Sequence, residues 1–188
     1  FKNWNGVGLI PFASGSYGIQ FDTTKFPQFI IPRLHKMYSN FSEKVRTVKK
    51  IKSLGRKVSL DGEEYDFVVD CRGYPEDYSD YIISDKVYLD SAIAVRSYTP
   101  GDWEYTYHIA HKHGWMFGLP LQSRTGWGYL YNSKLTSQLE AQDDVARILE
   151  EYQVEFHSKD CREFSFKNYY AKSVMNEDGN IFVNGNRA

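Results

Sequence analysis

Gly114-Trp115-Met116-Phe117-Gly118-Leu119-Pro120, read on through Gly128-Tyr129-Leu130-Tyr131, is the stretch that decides the fold. It reads as two strands, Trp115 to Pro120 and Gly128 to Tyr131, with Arg124-Thr125-Gly126 as the turn between them. Upstream, Ser91 to Tyr98 and Glu104 to His111 supply two more strands around Pro100-Gly101-Asp102. From Val87 to Tyr131 the signal is β throughout, and it predicts an antiparallel sheet whose faces carry many aromatics.

Helices flank this sheet. Asp22 and Thr23 offer N-cap chemistry for a helix over 24–38, after a short strand at Ile19-Gln20-Phe21. Phe26, Phe29, Ile30 and Leu34 fall at helical spacing; Pro27 suits a first turn and Pro32 should kink or interrupt the helix. Thr136 reads as the N-cap of a second helix over 137–152, with Leu139, Val145, Ile148 and Leu149 as its apolar stripe. The acids Glu140, Asp143, Asp144, Glu150 and Glu151 read as its solvated side.

The remaining segments read as strands and turns. Val45 to Ile51 and Lys57 to Leu60 alternate, and Asp61-Gly62 is a hairpin turn. Tyr65 to Asp70 is a short apolar strand of the kind buried in a parallel or mixed sheet, broken by Cys71-Arg72-Gly73-Tyr74-Pro75. Ser79 to Asp85 reads as loop or short helix. Phe164 to Tyr170 and Asn180 to Val183 are further strands around the turn Asn176-Glu177-Asp178-Gly179, and residues 1–18 read as loop. The fold class is α+β or α/β, a mixed and antiparallel sheet with flanking helices, in one domain over residues 1–188.

Composition narrows function by exclusion. Hydrophobic residues at 41% and charged residues at 25% are ordinary for a soluble globular chain. Aromatics reach 16%, which suits strands and pockets for flat ligands, although plain sheet composition explains it more readily. A net charge of −1 gives no broad electrostatic case for nucleic acid or an anionic membrane. The basic residues Lys49, Lys50, Lys52, Arg56 and Lys57, near Val45, Val48 and Ile51, read as the solvated side of a strand or hairpin. Cys71 and Cys161 lack C-x-x-C partners, which argues against a disulfide framework or cysteine zinc site and fits a reducing cytoplasm. No apolar run is long enough to span a membrane, and no signal peptide is visible.

Motifs for direct chemistry are sparse. Gly6-Val7-Gly8 and Gly15-Ser16-Tyr17-Gly18 do not match G-x-G-x-x-G, so the pyrophosphate of any bound dinucleotide is expected on chain outside this sequence. His111 and His113 share a strand face while His108 points away, a weak zinc pattern beside the reading as sheet-face histidines. No nucleophile elbow or phosphate loop occurs. The start without Met and the ending at Asn184 to Ala188, just after a strand, read as a fragment.

A resemblance adds what composition withholds. Gly114-Trp115-Met116-Phe117-Gly118-Leu119-Pro120 resembles the W-x-W-x-I-P motif of the flavin-dependent tryptophan halogenases, with Phe117 for the second Trp and Leu119 for the Ile. Gly128 to Ser133 resembles the strand that follows it. Ile19 to Asp22, Asp66 to Tyr74, Ser91 to Ala94 and Asn180 to Asn186 resemble further family segments in the same order. The resemblance covers the chain from about residue 17 to its end.

It implies the substrate-side part of a two-domain FAD-dependent monooxygenase-like fold. In that family reduced FAD reacts with oxygen, and the oxidant turns chloride or bromide into hypohalous acid that a lysine and a glutamate direct to an aromatic ring. It implies FAD, supplied reduced by a partner flavin reductase, halide as co-substrate, a small aromatic substrate, and homodimers as an assembly. Trp115, Phe117 and Pro120 inherit a flavin–substrate partition; the other reading makes Trp115 and Phe117 core aromatics. Asp70 and Gly73 fall where a strand end approaches the cofactor, or where Gly73 is a turn glycine. The lysine and glutamate have no counterpart here, so no catalytic residue is assigned. The alternatives are an FAD-dependent monooxygenase or a non-catalytic binding module with an aromatic pocket.

Overall fold

Asp22 starts the first helix through its backbone and its side chain. In the computed structural model, which describes residues 19–188, its carbonyl accepts from the Lys25 and Phe26 N–H groups and its carboxylate from Thr24. The helix α1 spans Phe26–Met37. Pro27 sits in its first turn, and Pro32 is accommodated inside it rather than interrupting it. None of its residues is buried among the described residues, and Phe29 is 53% exposed. The expected strand at Ile19 to Phe21 has no ladder partner; the loop expected over 1–18 lies outside the described residues.

A small meander follows, β1 (Ile51–Ser53), β2 (Val58–Leu60) and β3 (Glu63–Tyr65), all antiparallel. Asp61 and Gly62 both take positive φ, so Leu60 pairs Glu63 across the two-residue turn that Asp-Gly favours. The strand expected from Val45 begins only at Ile51; Val45 is 97% exposed. Lys44 and Arg46 bond Glu63, and Lys57 bonds Asp66, which places this basic segment on the solvated side.

The expected strand from Tyr65 to Asp70 is split: β3 ends at Tyr65 and β4 spans Val68–Asp70. Ser79 to Asp85 contains a strand, β5 (Tyr81–Ile83), rather than loop or helix. Its partner lies far along the chain, which local sequence does not signal.

Four strands of the central sheet then follow: β6 (Ser91–Ser97), β7 (Tyr107–Ala110), β8 (Gly114–Leu121) and β9 (Arg124–Tyr131). The turn lies at Gln122-Ser123, and Arg124-Thr125-Gly126 belongs to β9, where Thr125 is buried and donates to the Thr99 carbonyl. Pro120 fits in β8 because β7 pairs only as far as Gly118, so no neighbour on that side asks for its N–H.

The helix α2 spans Gln138–Glu151. Ser137, not Thr136, is its N-cap, and Ser137 and Glu140 form a reciprocal capping box. Thr136 instead donates to the His113 carbonyl. The strands β10 (Cys161–Ser165), β11 (Tyr169–Ala171) and β12 (Ile181–Val183) complete the chain, so the expected strand from Phe164 to Tyr170 is broken in the middle.

The five-stranded sheet has the order β10-β6-β9-β8-β7 and is antiparallel throughout. Helix α2 covers one face of it. Ile93, Val95, Met116, Trp127 and Tyr129 meet Ala141, Val145, Ile148 and Leu149 there. Leu139, expected in that stripe, is 73% exposed, and Asp144 occupies the buried side instead. Two-stranded pairs β11–β5 and β12–β4 lie outside this sheet, and β12–β4 alone among the described pairs is parallel. The buried Asn180 amide bonds the Gly55 and Lys57 carbonyls, tying the meander to the start of β12. No described helix is long and apolar enough to cross a membrane.

Candidate functional site

Strand alternation divides β8 into two sets. Met116, Gly118 and Pro120 face α2 and the core, while Trp115, Phe117 and Leu119 face the other side. Trp115 and Phe117 are therefore brought together, with ring centroids 5.9 Å apart. His108, opposite Phe117 on β7, stacks on Trp115 at 5.5 Å. Pro120 is separated from these two: it sits on the core side, beside Gly101 and Trp103. Both aromatic rings near the motif are accommodated by glycines on the neighbouring strand. A Cβ on Gly128 would overlap the Phe117 ring, and one on Gly118 would overlap the Trp127 ring.

The second place where expected residues gather is the carboxyl end of the parallel pair β4–β12. Asp70 ends β4, and its carbonyl accepts from the Asn184 N–H just past β12. Its carboxylate is 8% exposed and receives Arg72 Nε at 2.9 Å on one oxygen and Nη2 at 2.8 Å on the other. The Arg72 N–H also donates to it, and Arg187 Nε lies 3.8 Å away. These hydrogen bonds from Arg72, against the opposing effect of burial, hold the Asp70 carboxyl below the usual carboxylate range. Gly73 has φ of +90° with open space where a Cβ would stand, so conformation rather than crowding asks for glycine.

A cleft of about 860 Å³ opens beside this corner, between Asp70, Arg72, Tyr81, Ile181, Val183 and Arg187. Its size suits a cofactor-sized ligand. The carboxyl ends of parallel strands are where α/β folds bind nucleotides. Asp70 itself is occupied with Arg72, so it orders the corner rather than offering a free carboxylate.

A third cluster has no counterpart in the sequence reading. Asp144, expected on a solvated face, is 2% exposed. Its Oδ2 accepts from Tyr129 Oη at 2.6 Å and the His113 N–H at 3.1 Å, and His111 Nδ1 lies 2.8 Å away. Burial pushes the Asp144 carboxyl up, but the His111 imidazole 2.8 Å away and the hydrogen bonds from Tyr129 and the His113 N–H outweigh it and hold the group below its ordinary value. Burial first, then the bond to Asp144, pushes the Tyr129 phenol far above its ordinary range. The available signal was position: Asp144 lies three residues after Ala141 and four before Ile148, on the apolar stripe. Among the described residues, no group of three or more His, Cys, Asp or Glu side chains is arranged to hold a metal ion.

Comparison with known proteins places this geometry. The tryptophan halogenase family model matches residues 10–183. Tryptophan 7-halogenase KtzQ of Kutzneria sp. (strain 744) is 31% identical over 101 residues, covering 44% of this chain and 18% of that protein. Xcc4156, a flavin-dependent halogenase from Xanthomonas campestris, has a TM-score of 0.65 at 20% identity, covering 88% of this chain and 35% of that one. A tryptophan 6-halogenase (SttH) from Streptomyces toxytricini has a TM-score of 0.64 at 20% identity, covering 99% and 40%. At such identities the structural likeness is one of fold. The chain spans well under half the length of these relatives.

Proposed function

Because the chain belongs to the tryptophan halogenase family, we propose that it forms the substrate-side domain, residues 1–188, of an FAD-dependent enzyme that halogenates a small aromatic substrate. The reading places that enzyme in the cytoplasm and gives it a flavin reductase as partner. Reduced FAD, when bound, would supply two electrons to oxygen, so that halide, a proton and an aromatic C–H become an aryl halide with release of two water molecules.

The observation that carries this reading is the aromatic half of the sheet face, where Trp115 and Phe117 stand together on the side away from α2. They form the wall between flavin and substrate, excluding water from a reactive oxidant and packing flat groups. Pro120 acts through the backbone end of β8, since its ring lies on the core side. At the other corner, Gly73 lets the chain turn at the end of β4, and Asp70 holds Arg72 beside the cofactor cleft.

The test is to supply the full-length protein with FAD, a flavin reductase, NADH, oxygen, bromide and a panel of aromatics, and to look for brominated product by mass spectrometry. Bromination that falls at least about tenfold in Trp115→Ala, with FAD binding retained, supports the wall. An oxygenated product with no halogenated one moves the protein to the monooxygenases.

A further inference from the structure

Beside the end of β8 that carries Pro120, five rings form a continuous cluster, and each belongs to Trp or Tyr. Trp103 lies against Gly101 and Pro120, so close that a Cβ on Gly101 would overlap its ring. Its centroid is 4.8 Å from that of Tyr107 and 5.9 Å from that of Trp127. Tyr107 stacks on Trp127 at 6.1 Å, and Tyr152, just past α2, meets the two at 5.3 Å and 6.3 Å. Tyr105 joins the cluster through Tyr107, at 5.2 Å, with the two hydroxyls 3.4 Å apart. Burial falls along this series: Trp127 is 2% exposed and Tyr105 is 43% exposed.

Core packing alone accounts for a group of touching rings, but two features go beyond it. The Nε1 atoms of Trp103 and Trp127 are both buried, and neither has a hydrogen-bond partner among the described residues. An unpartnered buried N–H costs stability, and a Phe ring would fill core space without that cost. What indole and phenol share, and benzene lacks, is the ready loss of one electron. An indole with no base at its N–H also keeps its proton when oxidised, so the positive charge passes on instead of being trapped as a neutral radical. The second feature is direction. The cluster ends in water, at a Tyr105 phenol that releases its proton to solvent.

We propose that this cluster is a relay that carries oxidising equivalents out of the domain interior, from Trp103 and Trp127 through Tyr107 to Tyr105. An oxygen-centred radical RO• takes one electron from an indole and becomes RO⁻. The indole regains an electron from Tyr105 by way of Tyr107, and the Tyr105 phenol proton leaves to water, completing ROH. In sum, the Tyr105 phenol and RO• give the Tyr105 phenoxyl radical and ROH. A thiol RSH in solution then returns a hydrogen atom, restoring the phenol and leaving RS•. Electron transfer weakens steeply with distance, so steps between touching rings outcompete longer jumps. The use of such a relay follows from the oxygen chemistry proposed above; its existence does not depend on it.

The experiment is pulse radiolysis of the full-length protein in azide solution, which makes the azide radical; this oxidises Trp in preference to Tyr and needs no flavin. The indolyl absorption is expected to decay into a tyrosyl absorption at a rate independent of protein concentration. A nitroso spin trap is expected to mark Tyr105 in peptide mass spectra. Tyr107→Phe should slow the transfer at least severalfold and remove the Tyr105 adduct. Tyr105→Phe alters an exposed ring, so the fold is kept, and it should prolong the indolyl signal as well; this variant decides the matter if Tyr107→Phe lowers the melting temperature. Tyr88→Phe, at a 79% exposed ring outside the cluster, should change neither signal. Transfer untouched by Tyr105→Phe, a rate that rises with protein concentration, or adducts spread over the exposed tyrosines in place of Tyr105 overturns the proposal. Because the radical is made without flavin, loss of the relay leaves the halogenase reading standing, and a failed halogenation assay leaves the relay standing.

Discussion

Tyr129 Oη donates a 2.6 Å hydrogen bond to Asp144 Oδ2, joining the middle strand of the central sheet to the helix that covers it. Both residues are buried, at 0% and 2% exposure, so neither finds water if the other is removed. The same oxygen takes the His113 N–H, which fixes the β7–β8 turn to the helix as well.

Removing the carboxylate should therefore cost more than removing the phenol hydroxyl. Asp144→Ala strands Tyr129 Oη and the His113 N–H and should destabilise by about 3 kcal/mol, whereas Tyr129→Phe should cost about 1 kcal/mol. Denaturant melts of the two variants with unchanged m values would measure this. Equal and small losses would mean the cluster is not the link between helix and sheet.

The pH dependence follows from the same groups with opposite signs. Asp144 and Asp70 are held below their ordinary values. Their contribution is complete above the unfolded carboxylate value of about 3.9 and is lost as pH falls through the lower folded values. Tyr129 is raised, so its contribution is complete below about 10 and is lost as pH climbs beyond that. Melting temperature against pH should show a shallower acid limb for Asp144→Asn and a shallower alkaline limb for Tyr129→Phe. An acid limb of Asp144→Asn that superimposes on the wild type would contradict the assignment.

The two glycines that make room for aromatic rings should respond differently. Gly118→Ala drives a methyl into Trp127, which is 2% exposed and has nowhere to move, so a loss of about 2 kcal/mol is expected. Gly128→Ala meets Phe117 on the open face, where the ring can swing outward; stability should fall by less than about 1 kcal/mol. Near-ultraviolet circular dichroism and unfolding curves together separate lost stability from a moved ring.

At the end of the parallel pair β4–β12, Asp70→Ala leaves Arg72 and Arg187 without their shared counter-charge and should cost about 2 kcal/mol. Gly73→Ala strains a φ of +90° without a steric clash and should cost about 1 kcal/mol. If this corner is a flavin wall, both changes also weaken FAD binding by fluorescence titration. Unchanged affinity in both would place the flavin elsewhere.

Much of the central sheet could be read along the chain because its strands are long and alternate. Residues Trp115 and Phe117 are two apart and so share a face, while Pro120 is an odd step from Phe117 and so falls on the other; that parity was open to reading and was missed. The strand Tyr81–Ile83 was not readable, since three residues form it only because Tyr169–Ala171 pairs with it from far along the chain. Asp144 was marked by its place on an apolar stripe, but its acceptor role needed Tyr129 and the His113 N–H from other elements.

The sequence by itself determined the lineage, four of the five strands of the central sheet, a helix that starts close to Thr136, and the alternation of side chains along each strand. These follow from motif order, residue type and the two-residue period of a strand, all local properties. Tertiary structure alone decided that Arg162 stands in line with Phe117, and that Asp144 meets Tyr129. A strand's period says which way a side chain points, but only pairing and register say which distant residue stands beside it.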